Sequence, residues 1–155
     1  MKTAMAILIL VCGISTGLCE SVKLHRRVRA LSVFLDAVSS IKQAAGYTLG
    51  DIASLITLCN ENAFLMLVDA KLDLPMAWKL ACERYFADSA DKALALEFMR
   101  NFGKTDISGL VSYLVLFESK TERQLRKAEE SMQQKSKLYI VLGFFSGTAA
   151  ALLLI

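Results

Sequence analysis

Uncharged residues run without interruption from position 4 to 18 and again from 138 to 155, whereas apolar and charged positions alternate at helical spacing between them. A helix that spans a bilayer needs roughly 20 apolar residues, with about 17 as the short limit. The second run meets that length, and the first meets it once residues 1–3 or Cys19 are counted. The pattern predicts a transmembrane helix over 1–19, a helical domain over 20–137 and a second transmembrane helix over 138–155. The first run could instead be a cleaved signal peptide, with Lys2 as its basic start and residues 4–11 as its apolar stretch. Gly17-Leu18-Cys19 is a poor cleavage site, however, and Ser15-Thr16-Gly17-Leu18-Cys19 is a poor lipoprotein box. An uncleaved anchor is the better reading.

No window of the middle region shows sustained strand alternation, and the single proline is Pro75. Leu24, Val28, Leu31, Leu35 and Val38 recur at four-three-four-three spacing, predicting one apolar stripe on a helix continuous with the first span. Ala45-Gly46 marks its end, since glycine suits a left-handed C-cap. Thr48 and Asp51 form a capping-box spacing for a short helix from Leu49. A further helix is expected over 60–72, apolar at Phe64, Leu65, Leu67 and Val68. Asp73 and Pro75 give an N-cap and a first-turn proline for a helix through Phe86. Ser89 caps the next, which ends at Asn101-Phe102-Gly103. A last helix starts near Asp106 and continues into the second span. Leu110, Leu114 and Phe117 give it a core stripe, but beyond Glu118 it is mostly polar, as in a solvated stalk or partner surface. The fold class is all-α: a helical bundle between two transmembrane helices, with long antiparallel N- and C-terminal helices continuous with the spans.

Charge sharpens the boundaries. All 15 acidic residues lie from Glu20 to Glu130, and of the 18 basic residues only Lys2 lies outside 23–137. Lys23, Arg26, Arg27 and Arg29 follow the first span, and Lys135 and Lys137 precede the second. By the positive-inside rule this juxtamembrane basic set puts the central domain in the cytoplasm. A net charge of +3 without a basic stripe on one face argues against nucleic-acid binding. With the two long helices antiparallel, Arg26 and Arg27 are expected near Glu129 and Glu130, where exposed pairs set register more than stability.

Each end segment carries glycines one helical turn apart, Gly13 with Gly17 and Gly143 with Gly147. Such pairs open a groove that lets two helix backbones approach closely. The two segments are therefore expected to pack on each other or on copies of themselves in a homo-oligomer.

The residues offer no catalytic, cofactor-binding or metal-binding constellation. His25 is the single histidine, set among arginines. Gly103-Lys104-Thr105 imitates the end of a phosphate-binding loop, but Phe98 stands where that loop needs glycine, and a helix precedes it where a strand is required. Asp88, Asp91, Glu129 and Glu130 read as surface charges on helices. The four cysteines, Cys12, Cys19, Cys59 and Cys82, form no C-x-x-C pair and read as small buried hydrophobes.

The C-terminal third resembles the stage III sporulation protein AB family of endospore-forming bacteria. The resemblance rests on Phe102-Gly103-x-x-Asp106, on the charged helix with Glu118, Glu122 and Ala128-Glu129, and on Leu138-Tyr139-x-x-Leu142-Gly143-x-x-x-Gly147. The order of anchor, basic helix, helical domain and anchor is similar over the whole chain. One departure is Leu110, where the family pattern places glutamine. The resemblance implies a non-enzymatic scaffold, similar in its helical domain to the inner-membrane platform protein of type II secretion. Its setting would be the mother-cell membrane around the forespore, in a channel complex with other sporulation stage III membrane proteins and a cytoplasmic ATPase. Gly103 and Asp106 would then be the turn and N-cap that aim the last helix. A secreted or surface-attached helical binding protein, with the first segment removed, is the rival reading, and a regulatory subunit of another transporter is a third.

Overall fold

The computed structural model describes the backbone of residues 2–47, 56, 59, 61–68, 72–102 and 107–154, and within the helices the side chains of 11–45, 74–85, 89–102, 109–146 and 148–149. Among the described residues the secondary structure is four α-helices and one short 3-10 turn. We number the helices α1 (Lys2–Tyr47), α2 (Leu74–Tyr85), α3 (Ser89–Phe102) and α4 (Ile107–Leu154). The chain divides into two compact units: Met1–Val28 with Lys127–Ile155, and Arg29–Arg126. The all-α class follows directly. Among the described residues no helix is long and apolar enough to cross a membrane. The expected spans over 1–19 and 138–155 thus gain no support from the structure. Part of each run has side chains outside the described residues, and what remains of the first is soon interrupted by Glu20 and Lys23.

The Arg29–Arg126 unit is built around aromatic rings. Phe34 on α1 is fully buried and meets five other rings, all at steep, edge-on angles. Its centroid lies 5.2 Å from Phe64, 5.5 Å from Phe86, 6.2 Å from Phe98, 6.3 Å from Trp78 and 6.5 Å from Phe117. Edge-to-face rings at this range place positive ring edges against negative faces. The indole of Trp78 stacks on Phe98 at 5.3 Å, and its Nε1–H donates to the Ala95 carbonyl at 2.8 Å, so its polar atom is satisfied inside the core. The α1 stripe is therefore Leu31, Phe34, Ala37, Val38 and Ile41, all fully buried. Leu31 and Val38 lie on the expected face, but Leu24, Val28 and Leu35 are only half-buried. The four-three-four-three spacing of aliphatic residues does not include Phe34.

Local chemistry sets the helix ends. Asp73 precedes α2 as its N-cap residue, but its side chain makes no capping bond, and the Ala77 N–H reaches its backbone carbonyl instead at 2.9 Å. Pro75 sits within the first turn, where its missing N–H costs nothing. α2 ends at Tyr85, because the extended backbone of Phe86 turns that ring into the core. For α3 the cap is Asp88, not Ser89: its Oδ1 accepts from the N–H groups of Ala90 at 2.9 Å and Asp91 at 3.3 Å. α1 continues through Gly46 to Tyr47, and no glycine among the described residues adopts the left-handed conformation expected of a C-cap there.

The helix expected over 60–72 is replaced, among the described residues, by turns and the 3-10 segment Leu65–Leu67. Asn62 explains the break. Its Oδ1 accepts from the Phe64 N–H at 2.9 Å while its Nδ2 donates to the Val33 carbonyl at 3.0 Å, which draws the backbone into a tight turn that competes with a helix. Phe64 and Leu65 still reach the core, but Leu67 is exposed and Val68 half-buried. The short helix expected from Leu49, with Thr48 and Asp51, lies outside the described residues.

Within this unit α4 is less of a solvated stalk than its charge suggests. Leu114 and Phe117 are buried, as the core stripe requires, and beyond Glu118 Thr121 is buried too, its hydroxyl donating to the Phe117 carbonyl one turn back at 2.9 Å. Asp91 is also buried, contrary to its reading as a surface charge; its Oδ1 accepts from Gln124 Nε2 at 2.8 Å. The Tyr113 hydroxyl donates to the Phe98 carbonyl at 3.0 Å, and Lys120 pairs with Glu97 at 2.6 Å across α4 and α3. Lys42 pairs with Glu118 between α1 and α4.

Two predictions follow from this core. Phe34→Ala should destabilise the protein by about 3–5 kcal/mol through the cavity it leaves, and Leu35→Ala by roughly 1 kcal/mol; urea denaturation of the two variants checks the order. Burial pushes the Cys82 thiol from 9.0 up to about 12 and the Tyr113 phenol from 10.0 up to about 12. Both protons are lost more easily from the unfolded chain, so stability should fall as the pH rises from 9 toward 12. Denaturation midpoints on either side of pH 9 read that slope, and Tyr113→Phe with Cys82→Ala should flatten it.

Candidate helix-packing site

In the unit formed by Met1–Val28 and Lys127–Ile155, α1 and α4 meet as an antiparallel hairpin. Three glycines make the contact. A Cβ added at Gly17 would stand 2.6 Å from the Tyr139 carbonyl oxygen and 3.5 Å from the Cα of Gly143. A Cβ added at Gly143 would stand 2.6 Å from the Gly13 carbonyl oxygen and 3.3 Å from the Cα of Gly17. Both positions are closed to any side chain, because carbonyl groups of helix backbone cannot move aside as a flexible side chain can. Gly17 and Gly143 are buried, as a groove-forming pair should be.

One turn further along, the hydroxyls of Ser21 and Ser136 bond to each other at 2.5 Å. Ser21 is buried, so the pair satisfies a polar group that the close approach removes from solvent. Opposed positions therefore run Gly13 with Gly143, Gly17 with Tyr139 and Gly143, and Ser21 with Ser136. The expected packing of the two end segments on each other is present at Gly13, Gly17 and Gly143. Gly147 lies outside the residues whose side-chain surroundings are described. Serine was not singled out in the sequence, although Ser21 and Ser136 are small residues four and seven positions from Gly17 and Gly143 on the sides that face.

The basic residues do not form one set. Lys23 and Arg26 are exposed and Arg27 is half-buried in the hairpin unit, whereas Arg29 belongs to the other unit. There its positive charge offsets part of the upward push that burial gives the Tyr85 phenol. Lys23 pairs with Glu20 on the same helix at 2.5 Å, which raises its ammonium above the ordinary lysine value although it is exposed. Continuing the opposed positions past Ser21 and Ser136 in equal steps brings Arg26 level with Ser131, Arg27 with Glu130 and Val28 with Glu129. The His25 Nδ1 lies 2.9 Å from the Ser21 carbonyl, a bond within α1. Of the remaining motif residues, Leu142 is exposed beside buried Gly143, and Gly103 and Asp106 lie outside the described residues.

The cysteines divide as well. Cys82 is buried, but Cys12 and Cys19 are exposed, so the expectation of burial fails for those two. Among the described residues, no three of His, Cys, Asp and Glu gather where they could hold a metal ion. The chemistry of this site is close packing, with a hydroxyl pair as its polar element.

The fold and its glycine contact thus define an all-helical protein whose N- and C-terminal helices pair through small residues. The sequence model of the stage III sporulation protein AB family matches residues 2–155, and the chain belongs to that family. Membership places it among the sporulation stage III proteins, and the stage III sporulation protein AB family is not a known enzyme family. No curated protein and no solved structure matches the chain.

The contact is testable in the full chain. With the four native cysteines replaced by serine, Ser21→Cys plus Ser136→Cys should form an intramolecular disulfide under mild oxidation, read as faster migration on a non-reducing gel. Adding Gly143→Val should cut the yield severalfold. An unchanged yield would mean that the glycines do not hold the hairpin.

Proposed function

We propose that this chain is a membrane scaffold, the platform subunit of a channel complex joining mother cell and forespore, and that its central region docks a cytoplasmic ATPase. The observation that carries the reading is the family match over 2–155, which spans both end segments as well as the domain between them. In this proposal the apolar ends lie in the mother-cell membrane around the forespore, the central region is cytoplasmic, and other stage III membrane proteins are its neighbours. The exposed apolar residues of α4 support the membrane assignment. Leu138, Ile140, Val141, Leu142, Phe144 and Phe145 are each between 42% and 66% exposed while Gly143 is buried. A dense apolar belt of this kind is unfavourable in water and favourable against lipid. The Gly17–Gly143 contact favours an uncleaved first segment, because signal-peptide removal would strip α4 of its partner.

Docking has a candidate surface in the Arg29–Arg126 unit. Leu72, Met76 and Leu80 follow one another at four-residue intervals into and along α2, all exposed. The test is co-purification of the detergent-solubilised full chain with the ATPase. Met76→Asp with Leu80→Asp should abolish capture and leave the melting temperature nearly unchanged, as expected for exposed sites. If the unaltered chain captures no ATPase under conditions where the complex is active, docking is wrong.

A further inference from the structure

Four exposed cations of the hairpin unit share one axial band. Lys23 and Arg26 on α1 and Lys135 and Lys137 on α4 are all exposed. The Ser21–Ser136 bond fixes their levels, with Lys135 and Lys137 on either side of that bond and Lys23 and Arg26 two and five residues beyond it on α1. At about 1.5 Å per helical residue the band is roughly 10 Å deep. The exposed apolar surface begins within the band at Val22 and continues directly next to it with Leu18 on α1 and Leu138, Ile140, Val141 and Leu142 on α4. Two acidic groups lie close to the band. Glu20 is bound to Lys23, and Glu130 lies level with Arg27, one residue past the far edge of the band.

We infer that this band binds the headgroups of anionic phospholipids in preference to zwitterionic ones. The inference rests on the membrane placement proposed above and specifies the lipid that the hairpin selects. The physical ground is the pairing of two features on one short stretch of the hairpin. An apolar belt takes up acyl chains, and long cationic side chains at its rim extend their charges to the depth where phosphates lie. Lys135 and Lys137 are separated by a little over half a helical turn, so they present charge on opposite sides of α4 rather than to one protein surface. A protein partner would call for a single charged face, whereas a surrounding lipid annulus meets cations on every side.

The experiment uses the full chain in dodecyl maltoside, incubated with equal amounts of phosphatidylglycerol and phosphatidylcholine, re-purified, and its retained lipid measured by mass spectrometry. Phosphatidylglycerol should be enriched about fivefold or more, the scale of one cation at an anionic surface. The variant Lys23→Gln, Arg26→Gln, Lys135→Gln, Lys137→Gln should retain the two lipids in the mixing ratio. Glu20→Gln, which frees Lys23 from its carboxylate, should raise the enrichment above that of the unaltered chain, and this single change keeps the test decisive if the fourfold variant does not fold. Retention of both lipids in the mixing ratio by the unaltered chain overturns the preference while leaving the membrane placement intact. Retention of neither lipid overturns the membrane placement itself, and the preference with it.

Discussion

The backbone contact at Gly17 and Gly143 is the constraint from which the hairpin's other features follow. Carbonyl oxygens of the opposite helix occupy the space where a side chain would begin, so α1 and α4 can approach closely in one register only. Turning either helix by one residue position, about 100°, would bring Leu18 or Leu142 into that space in place of glycine. With the register fixed, Ser21 meets Ser136, and the charged residues beyond them fall at defined levels. A packing rule that concerns a few atoms thereby decides which side chains are neighbours over several turns.

The Arg29–Arg126 unit obtains its definition differently. Its interior is a set of interlocking aromatic rings centred on Phe34 and Phe98, with polar groups admitted only where a partner is supplied. Trp78 has the Ala95 carbonyl, Thr121 the Phe117 carbonyl, and Asp91 the amide of Gln124. Bonds of this kind add little net stability but make alternative arrangements costly, because each would strand a buried polar atom. The rings supply the driving force and the polar bonds select one arrangement.

Much of this was legible in the sequence, and the misses share physical causes. The all-α class, the bounds of α2 and α3 to within a residue or two, and the pairing of Gly13, Gly17 and Gly143 follow from periodicity, proline and glycine spacing. Phe34 lies outside the aliphatic spacing and Asp91 reads as a surface charge on its own helix, whereas both are buried by elements distant in sequence. Asn62 ended an expected helix through bonds to Phe64 and Val33, the second of them 29 residues away, which no local pattern contains. The exposure of Cys12 and Cys19 follows from their positions around α1, since neither shares the face of Gly17. Gly103, Asp106 and Gly147 fall outside the described side chains, so the family motif at these positions is legible only as sequence.

Trp78 is the single tryptophan of the chain, and it lies wholly inside the aromatic core of one unit. The hairpin contains none. Intrinsic indole emission is therefore a native reporter on one half of the molecule and blind to the other. With its ring fully buried against Phe98 and its N–H held by a carbonyl, that emission comes from an apolar site and shifts when unfolding exposes the indole to water. Circular dichroism, by contrast, is dominated by the two long helices that contribute to both units. Disagreement between the two signals during unfolding would measure how far the halves melt independently, with no label attached to the protein.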